Sequence, residues 1–209
     1  MSNPYTLYYY PEAILPKKFI VCSIELKPFC LGHLLLLERI DSPLINSDVV
    51  NIDIKTGLLD YFKALTICSL SYEDGLAVLN DDNEAKDIIS SIKEVIDADM
   101  EIEGEDWNIY TKVNQFRDYM TYFFNMPIYS IEQKQNQTPT GLDWKIGVWQ
   151  IFKKMGYSET EILNMNLRRL FFEWCQNAET EGAIKVVNSS IRNKAQVNVI
   201  NEPYVPSPE

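Results

Sequence analysis

His33 is the only histidine in this chain of 209 residues, and histidine is the side chain best suited to proton transfer near neutral pH. It follows Gly32 in a leucine-rich segment, and the next carboxylate along the chain is Glu38, five residues later. A catalytic histidine needs a nucleophile or an orienting group within hydrogen-bonding distance. The neighbouring sequence offers neither, so we interpret His33 as a packing or capping residue and predict no catalytic residue.

A run of carboxylates, DADMEIEGED, occupies residues 97–106 and contains no basic residue. If Asp99 is taken as position one, the spacing of a calcium-binding EF-hand loop fits as far as Gly104 at position six. The fit ends there, because position twelve is Tyr110 and not the required bidentate glutamate. We predict a solvated acidic loop with no metal and no cofactor. A docking surface for a basic partner stays open as the alternative.

Nucleophile and phosphate motifs do not occur in the sequence. It contains no GxxxxGK[ST], GxGxxG, GxSxG or HExxH pattern. The four cysteines have no CxxC spacing and lie among apolar residues, which favours buried, reduced thiols. These are Cys22, Cys30, Cys68 and Cys175. We therefore expect a protein that is not an enzyme, although a site built from unremarkable residues remains a rival interpretation.

The charge balance narrows the class of partner. The chain has 19 basic and 30 acidic residues, a net charge of −11, and such a chain is a poor ligand for nucleic acid phosphates. No apolar run approaches the roughly 20 residues that span a bilayer, and the N-terminus lacks the pattern of a signal peptide. We predict protein partners, no nucleic acid, no membrane and a cytoplasmic location in a bacterium or infected cell, with the virion as a second location. Homo-oligomers stay open.

Hydrophobic periodicity predicts a mainly α fold, a compact bundle of six or seven helices with one or two short strands near the N- and C-termini. Alternation over 19–26 (FIVCSIEL) predicts a strand, and 183–187 (AIKVV) predicts a second, brief one. Helices are predicted over about 30–40, 55–70, 82–97, 106–125 and 142–154, with two more beginning near 158 and 166, and a short helix over 72–79 stays open. Ser158 and Glu161 have the spacing of a capping box, and Gly156 and Gly182 are placed to end helices.

The composition along the chain also predicts how it is divided into segments. Prolines and tyrosines over residues 1–18 oppose helix and predict an extended N-terminal arm. Residues 19–187 form the helical domain, and the polar segment 128–141 is a linker or exposed loop and the candidate sub-boundary within it. Residues 188–209 form a C-terminal tail with three prolines.

Aromatic residues concentrate late in the chain, where core packing is the simplest explanation of their helical spacing. Phe171 and Phe172 are adjacent and cannot face the same way, so their helix is apolar on more than one side. That pattern suits burial between layers or contact with a partner's helix. The predicted partner-binding residues are Phe171, Phe172, Trp174 and Trp149, with Tyr8, Tyr9 and Tyr10 of the arm.

Two segments resemble proteins of bacteriophage and prophage tail gene clusters. Residues 26–44 (LKPFCLGHLLLLERIDSPL) resemble a Pro-Phe, Leu-Gly-His, leucine-rich, Ser-Pro stretch of small proteins encoded there. Residues 156–187 are similar to the closing helical part of tail assembly chaperones, where a Trp- or Leu-rich helix precedes an acidic turn. The two segments cover about a quarter of the chain, and the tyrosine-rich arm has no counterpart.

The resemblance implies a non-enzymatic role as a tail assembly chaperone. Such proteins bind the long helical tape measure protein and keep it soluble while the tail tube assembles. An acidic helical protein suits that role, since helices dock in apolar grooves through residues spaced three and four apart. Two alternatives stay open: a structural virion component, such as a connector, capsid accessory or tail protein, and a bacterial adaptor or regulatory protein.

Overall fold

The computed structural model describes residues 14–45, 54–125, 129–131 and 143–186. In this part of the chain the fold is mainly helical with short antiparallel strands, which confirms the predicted class. Eight α-helices are present here, where the sequence predicted six or seven in all. They are α1 (Leu31–Arg39), α2 (Ile54–Ser69), α3 (Tyr72–Asn80), α4 (Asp82–Glu103), α5 (Ile109–Phe124), α6 (Trp144–Lys154), α7 (Glu159–Asn164) and α8 (Leu167–Thr180).

The strand predicted over 19–26 is a hairpin. β1 (Phe19–Val21) pairs antiparallel with β2 (Ile24–Leu26) around a two-residue turn at Cys22 and Ser23. Both turn residues have positive φ, 49° and 61°, the conformation of a tight hairpin turn that usually selects asparagine and glycine. Because neither of those residues is present, the alternating pattern gave no sign that the chain reverses.

The acidic loop predicted over 97–106 is mostly helical. α4 continues to Glu103, and a single 3₁₀ turn over Gly104–Asp106 follows it. Gly104 has a φ of 57°, so the α-helix ends at the glycine rather than at the first carboxylate. The predicted end at 97 is six residues too early, because a run of carboxylates favours a solvated segment but glutamate is also a good helix former.

Most of the predicted segment boundaries near the C-terminus hold, with one correction in the polar loop. Residues 129–131 form β3, which pairs antiparallel with β4 (Ile184–Val186), so part of the predicted 128–141 loop is a strand. The capping box of Ser158 and Glu161 is present, and Gly156 and Gly182 both have positive φ where their helices end. Residues 1–13 of the predicted arm, the rest of the polar loop, Val187 and the predicted tail 188–209 lie outside the described residues.

The core joins the beginning of the described chain to its end. Phe29 and Tyr119 are fully buried, with ring centroids 5.7 Å apart, and further aromatic rings of α5 surround them. Leu167 donates its backbone N–H to the carbonyl of Phe29 at 2.9 Å, beside a β-bridge between Cys30 and Asn166. The segment before α1 and the start of α8 are therefore tied together at the centre of the fold.

Candidate functional site

His33 lies in the first turn of α1 and closes a cap with Cys30. The Sγ of Cys30 accepts the backbone N–H of His33 at 3.4 Å, and Nδ1 of His33 accepts the backbone N–H of Cys30 at 3.4 Å. Because Nδ1 accepts a hydrogen bond, Nε2 carries the proton and donates it to the carbonyl of Leu70 at 2.9 Å. All the hydrogen-bonding capacity of the ring is used inside the protein, which confirms the interpretation of His33 as a packing and capping residue.

Burial lowers the pKa of His33 to about 4, against a small opposing effect of the bond to Leu70. The imidazole is therefore neutral at pH 7, whereas in the unfolded chain it titrates near 6.5. Between these two values the unfolded state binds more protons, so stability falls as the pH falls from 6.5 towards 4.

We expect acid to destabilise the protein through His33 by about 2 kcal/mol between pH 7 and pH 5. Urea unfolding at a series of pH values would measure this. His33→Gln should be less stable at pH 7 but nearly independent of pH over this window, because the chain then has no histidine. A variant with the same pH slope as the parent would contradict the assignment.

At Gly32, the residue before His33, α3 leaves no room for a side chain. A β-carbon at Gly32 would come within 2.5 to 2.8 Å of Cδ2, Cγ and Cβ of Tyr72, the first residue of α3. The Leu-Gly-His segment thus serves the packing of α1 against α3. Packing and capping therefore account for Gly32 and His33, which carry part of the resemblance to tail-cluster proteins.

A charged cluster links the hairpin to α4 and α5. Lys112 of α5 is only 5% exposed, and its Nζ lies 2.9 Å from Oδ2 of Asp99 and 2.6 Å from Oε1 of Glu103. Ser23, in the turn of the hairpin, donates its Oγ to Oδ1 of Asp99 at 2.7 Å. These four residues form the Lys112 cluster, the most buried group of ion pairs in the described residues.

The Lys112 cluster keeps its charges fixed. Burial alone would raise the pKa of Asp99, but the hydrogen bonds from Ser23 and Lys112 and the lysine's charge outweigh it, so the pKa falls. Burial alone would lower the pKa of Lys112, but Glu103 and Asp99 outweigh it, so that pKa rises. Both shifts move the groups away from neutral pH. The cluster is suited to holding β1 and β2 against α4 and α5 rather than to transferring protons.

The hairpin turn inside this cluster is strained. Ser23 and Cys22 both adopt left-handed backbone conformations that residues other than glycine rarely take. The bond of Ser23 to Asp99 and the contact of Cys22 Sγ with the hydroxyl of Tyr61, at 3.5 Å, hold the turn in place. The turn therefore depends on tertiary contacts, which explains why the local sequence does not predict it.

The aromatic residues predicted to bind a partner differ in how deeply the structure buries them. Phe171 and Phe172 are buried, with Phe171 beside the rings of Phe124 and Trp144. Trp149 and Trp174 are half-buried against the core. Tyr8, Tyr9 and Tyr10 lie outside the described residues. In this fold Phe171 and Phe172 pack inside the molecule, so partner binding stays a prediction for the two tryptophans and the three tyrosines.

The cysteines are buried and form no disulfide, as the sequence predicts. Burial is the main cause of the raised pKa of all four thiols, and it brings those of Cys30 and Cys175 to about 12. Thiols in this state are protonated at neutral pH and react poorly as nucleophiles.

Two kinds of feature are absent from the described residues, a metal-binding cluster and a membrane-spanning helix. Over residues 14–45, 54–125, 129–131 and 143–186, no group of three or more His, Cys, Asp or Glu side chains is arranged to hold a metal ion. In the same ranges, no helix is both long enough and apolar enough to cross a bilayer.

The chain was compared with models of protein families, with curated proteins and with solved structures. It matches none of them. The surfaces of this fold are therefore the evidence for its function.

Proposed function

We propose that this protein is a non-enzymatic phage assembly protein, a tail assembly chaperone that binds a helical partner such as a tape measure protein. The observation that supports the proposal is the apolar surface left on the outer sides of its helices. Large apolar side chains remain at least two-fifths exposed on α4, on α6 and at the C-cap of α6, and these are Val95, Met100, Ile102, Trp144, Ile146 and Met155. Exposed apolar positions on helices are the surfaces on which another amphipathic helix docks.

The state of the buried titratable groups agrees with a binding role. His33 is neutral, and the phenols of Tyr61 and Tyr119 have pKa values raised mainly by burial. The buried cation Lys112 is paired with Asp99 and Glu103. These groups stabilise one conformation, and a net charge of −11 keeps a helper protein soluble while it presents apolar surface.

The proposal is tested in cells that express the protein from its own genomic locus. An affinity-tagged copy is expected to co-purify with a long helical protein encoded nearby, and mass spectrometry of purified particles is expected to lack it. Its presence in particles at a fixed copy number would instead identify a structural virion component. Capture of no phage protein would contradict the proposal.

A further inference from the structure

The core-facing side of α4 is well defined. Ile96 is fully buried, Ile92 packs against the core, and Asp99 is held by Lys112 on the same side. These residues follow one another at intervals of four and three, so they lie on one stripe of the helix. That stripe packs on α2 and α3.

Beside this stripe runs a second one that the described residues leave uncovered. Its positions also alternate by three and four residues, and we call it the outer stripe: Ile88, Ser91, Val95, Ala98 and Ile102. Val95 is 40% exposed and Ile102 82% exposed, while Ser91 and Ala98 are exposed and Ile88 is half-buried. From first to last the stripe is about 21 Å long, which is the length of about two heptads.

A row of carboxylates borders the outer stripe on the side away from the core. Asp87, Glu94 and Glu101 are spaced seven residues apart, so they project from the same edge of the helix, and all three are exposed. Within the described part of the chain none of the three forms an ion pair. Other acids of α4 are neutralised there, Asp97 by Lys93 and Asp99 by Lys112.

We infer that the outer stripe docks an amphipathic helix that carries apolar residues at intervals of three and four and Lys or Arg residues seven apart along one flank. The apolar stripe supplies the contact area, and the acidic row selects a basic flank and fixes the register. A second copy of this chain fits poorly, because it would bring the same acidic row against the first. This inference deepens the proposed function and rests on it for the biological identity of the partner.

A designed peptide tests the surface without that partner. The probe is a 21-residue fluorescent helix with leucine at the stripe positions and lysine at the seven-residue flank positions, and its companion has glutamate in place of lysine. Fluorescence anisotropy with the full chain is expected to show binding of the lysine peptide, weakened by salt, and at least about tenfold weaker binding of the glutamate peptide.

The acidic row is tested against a control variant that changes the net charge by the same amount. Asp87→Asn, Glu94→Gln and Glu101→Gln together are expected to weaken binding of the lysine peptide by about tenfold or more. The matched control removes three exposed acids elsewhere, with Asp41→Asn, Asp118→Asn and Glu159→Gln, and should bind like the parent. Equal loss of affinity in both triple variants would overturn the inference, because binding would then follow overall charge.

The apolar stripe is tested within one turn of α4. Ile102→Ser is expected to weaken binding by about tenfold, whereas Met100→Ser, 41% exposed but off the stripe, should not. No binding of the lysine peptide, or equal effects of the two variants, would overturn the inference. So would a dimer of the parent, seen by light scattering, that Ile102→Ser dissociates. If the peptide fails while the pull-down from cells succeeds, the surface is wrong and the proposed function stands.

Discussion

Lys112→Met is expected to lower the free energy of unfolding by about 3 kcal/mol. The methionine keeps the length and most of the volume of the side chain, so the packing on α5 changes little. What changes is that Asp99, buried beside it, loses the cation 2.9 Å away, and Glu103 loses its partner at 2.6 Å. A buried charge left without compensation costs much more than the intact pair contributes.

Urea unfolding measures this effect, and two variants control it. Lys93→Met breaks the exposed pair with Asp97 and should change stability by less than about 0.5 kcal/mol. Adding Asp99→Asn to Lys112→Met should recover part of the loss, because the uncompensated carboxylate is removed. A double variant that loses the sum of the two single effects would show that the pair is not coupled.

The pH dependence of the same variant has a definite sign. In the parent the folded pKa of Asp99 is lowered, so its contribution is present above the unfolded value of 3.8 and is lost as the pH falls through the folded value. In Lys112→Met the carboxylate is buried without a cation, and its folded pKa should rise above 3.8. Acid below about pH 5 should then narrow the stability gap between variant and parent.

Gly32→Ala should destabilise the protein by about 2 kcal/mol, the cost of overpacking less the gain in helix propensity. The new methyl group would meet Cδ2, Cγ and Cβ of Tyr72 at 2.5 to 2.8 Å, and a rotamer change of Tyr72 moves the ring but leaves Cβ in place. Either α1 or α3 must shift.

Gly147→Ala is the matched control, because Gly147 also lies inside a helix but a β-carbon there meets no atom within 4 Å. This variant should be neutral or more stable by up to about 1 kcal/mol. Thermal or urea unfolding of the two variants side by side gives the comparison. Equal stability changes of the same sign would contradict the close approach of Tyr72 to Gly32.

Local sequence was sufficient for the helices and for most of their ends, the end of α4 excepted. Ser158 and Glu161 form the capping box that their spacing predicts, and the positive φ of Gly156 and Gly182 follows from the freedom of glycine at the end of a helix. Phe116, Met120 and Phe123 of α5 follow one another at intervals of four and three residues, and all three are buried in the core. These features depend on residues within one or two turns of each other.

The position of Lys112 in the sequence indicates a buried, paired cation. Lys112 lies three residues after Ile109 and four before Phe116, on the apolar face of α5. A lysine on such a face is expected to be paired if it is buried. Its partners Asp99 and Glu103 lie 13 and nine residues earlier, across a change in chain direction, so the pairing itself could not be predicted from spacing.

The sequence by itself determined the mainly α class, the helix caps and a packing or capping role for His33, because these follow from periodicity, capping chemistry and the lack of a catalytic partner in the neighbouring sequence. Only the tertiary structure decided that 19–26 folds back at Cys22 and Ser23, that Phe171 and Phe172 are internal, and that α4 keeps an apolar stripe beside an acidic row. Each of these depends on which faces of distant elements meet, and long-range contacts can override or hide the local pattern.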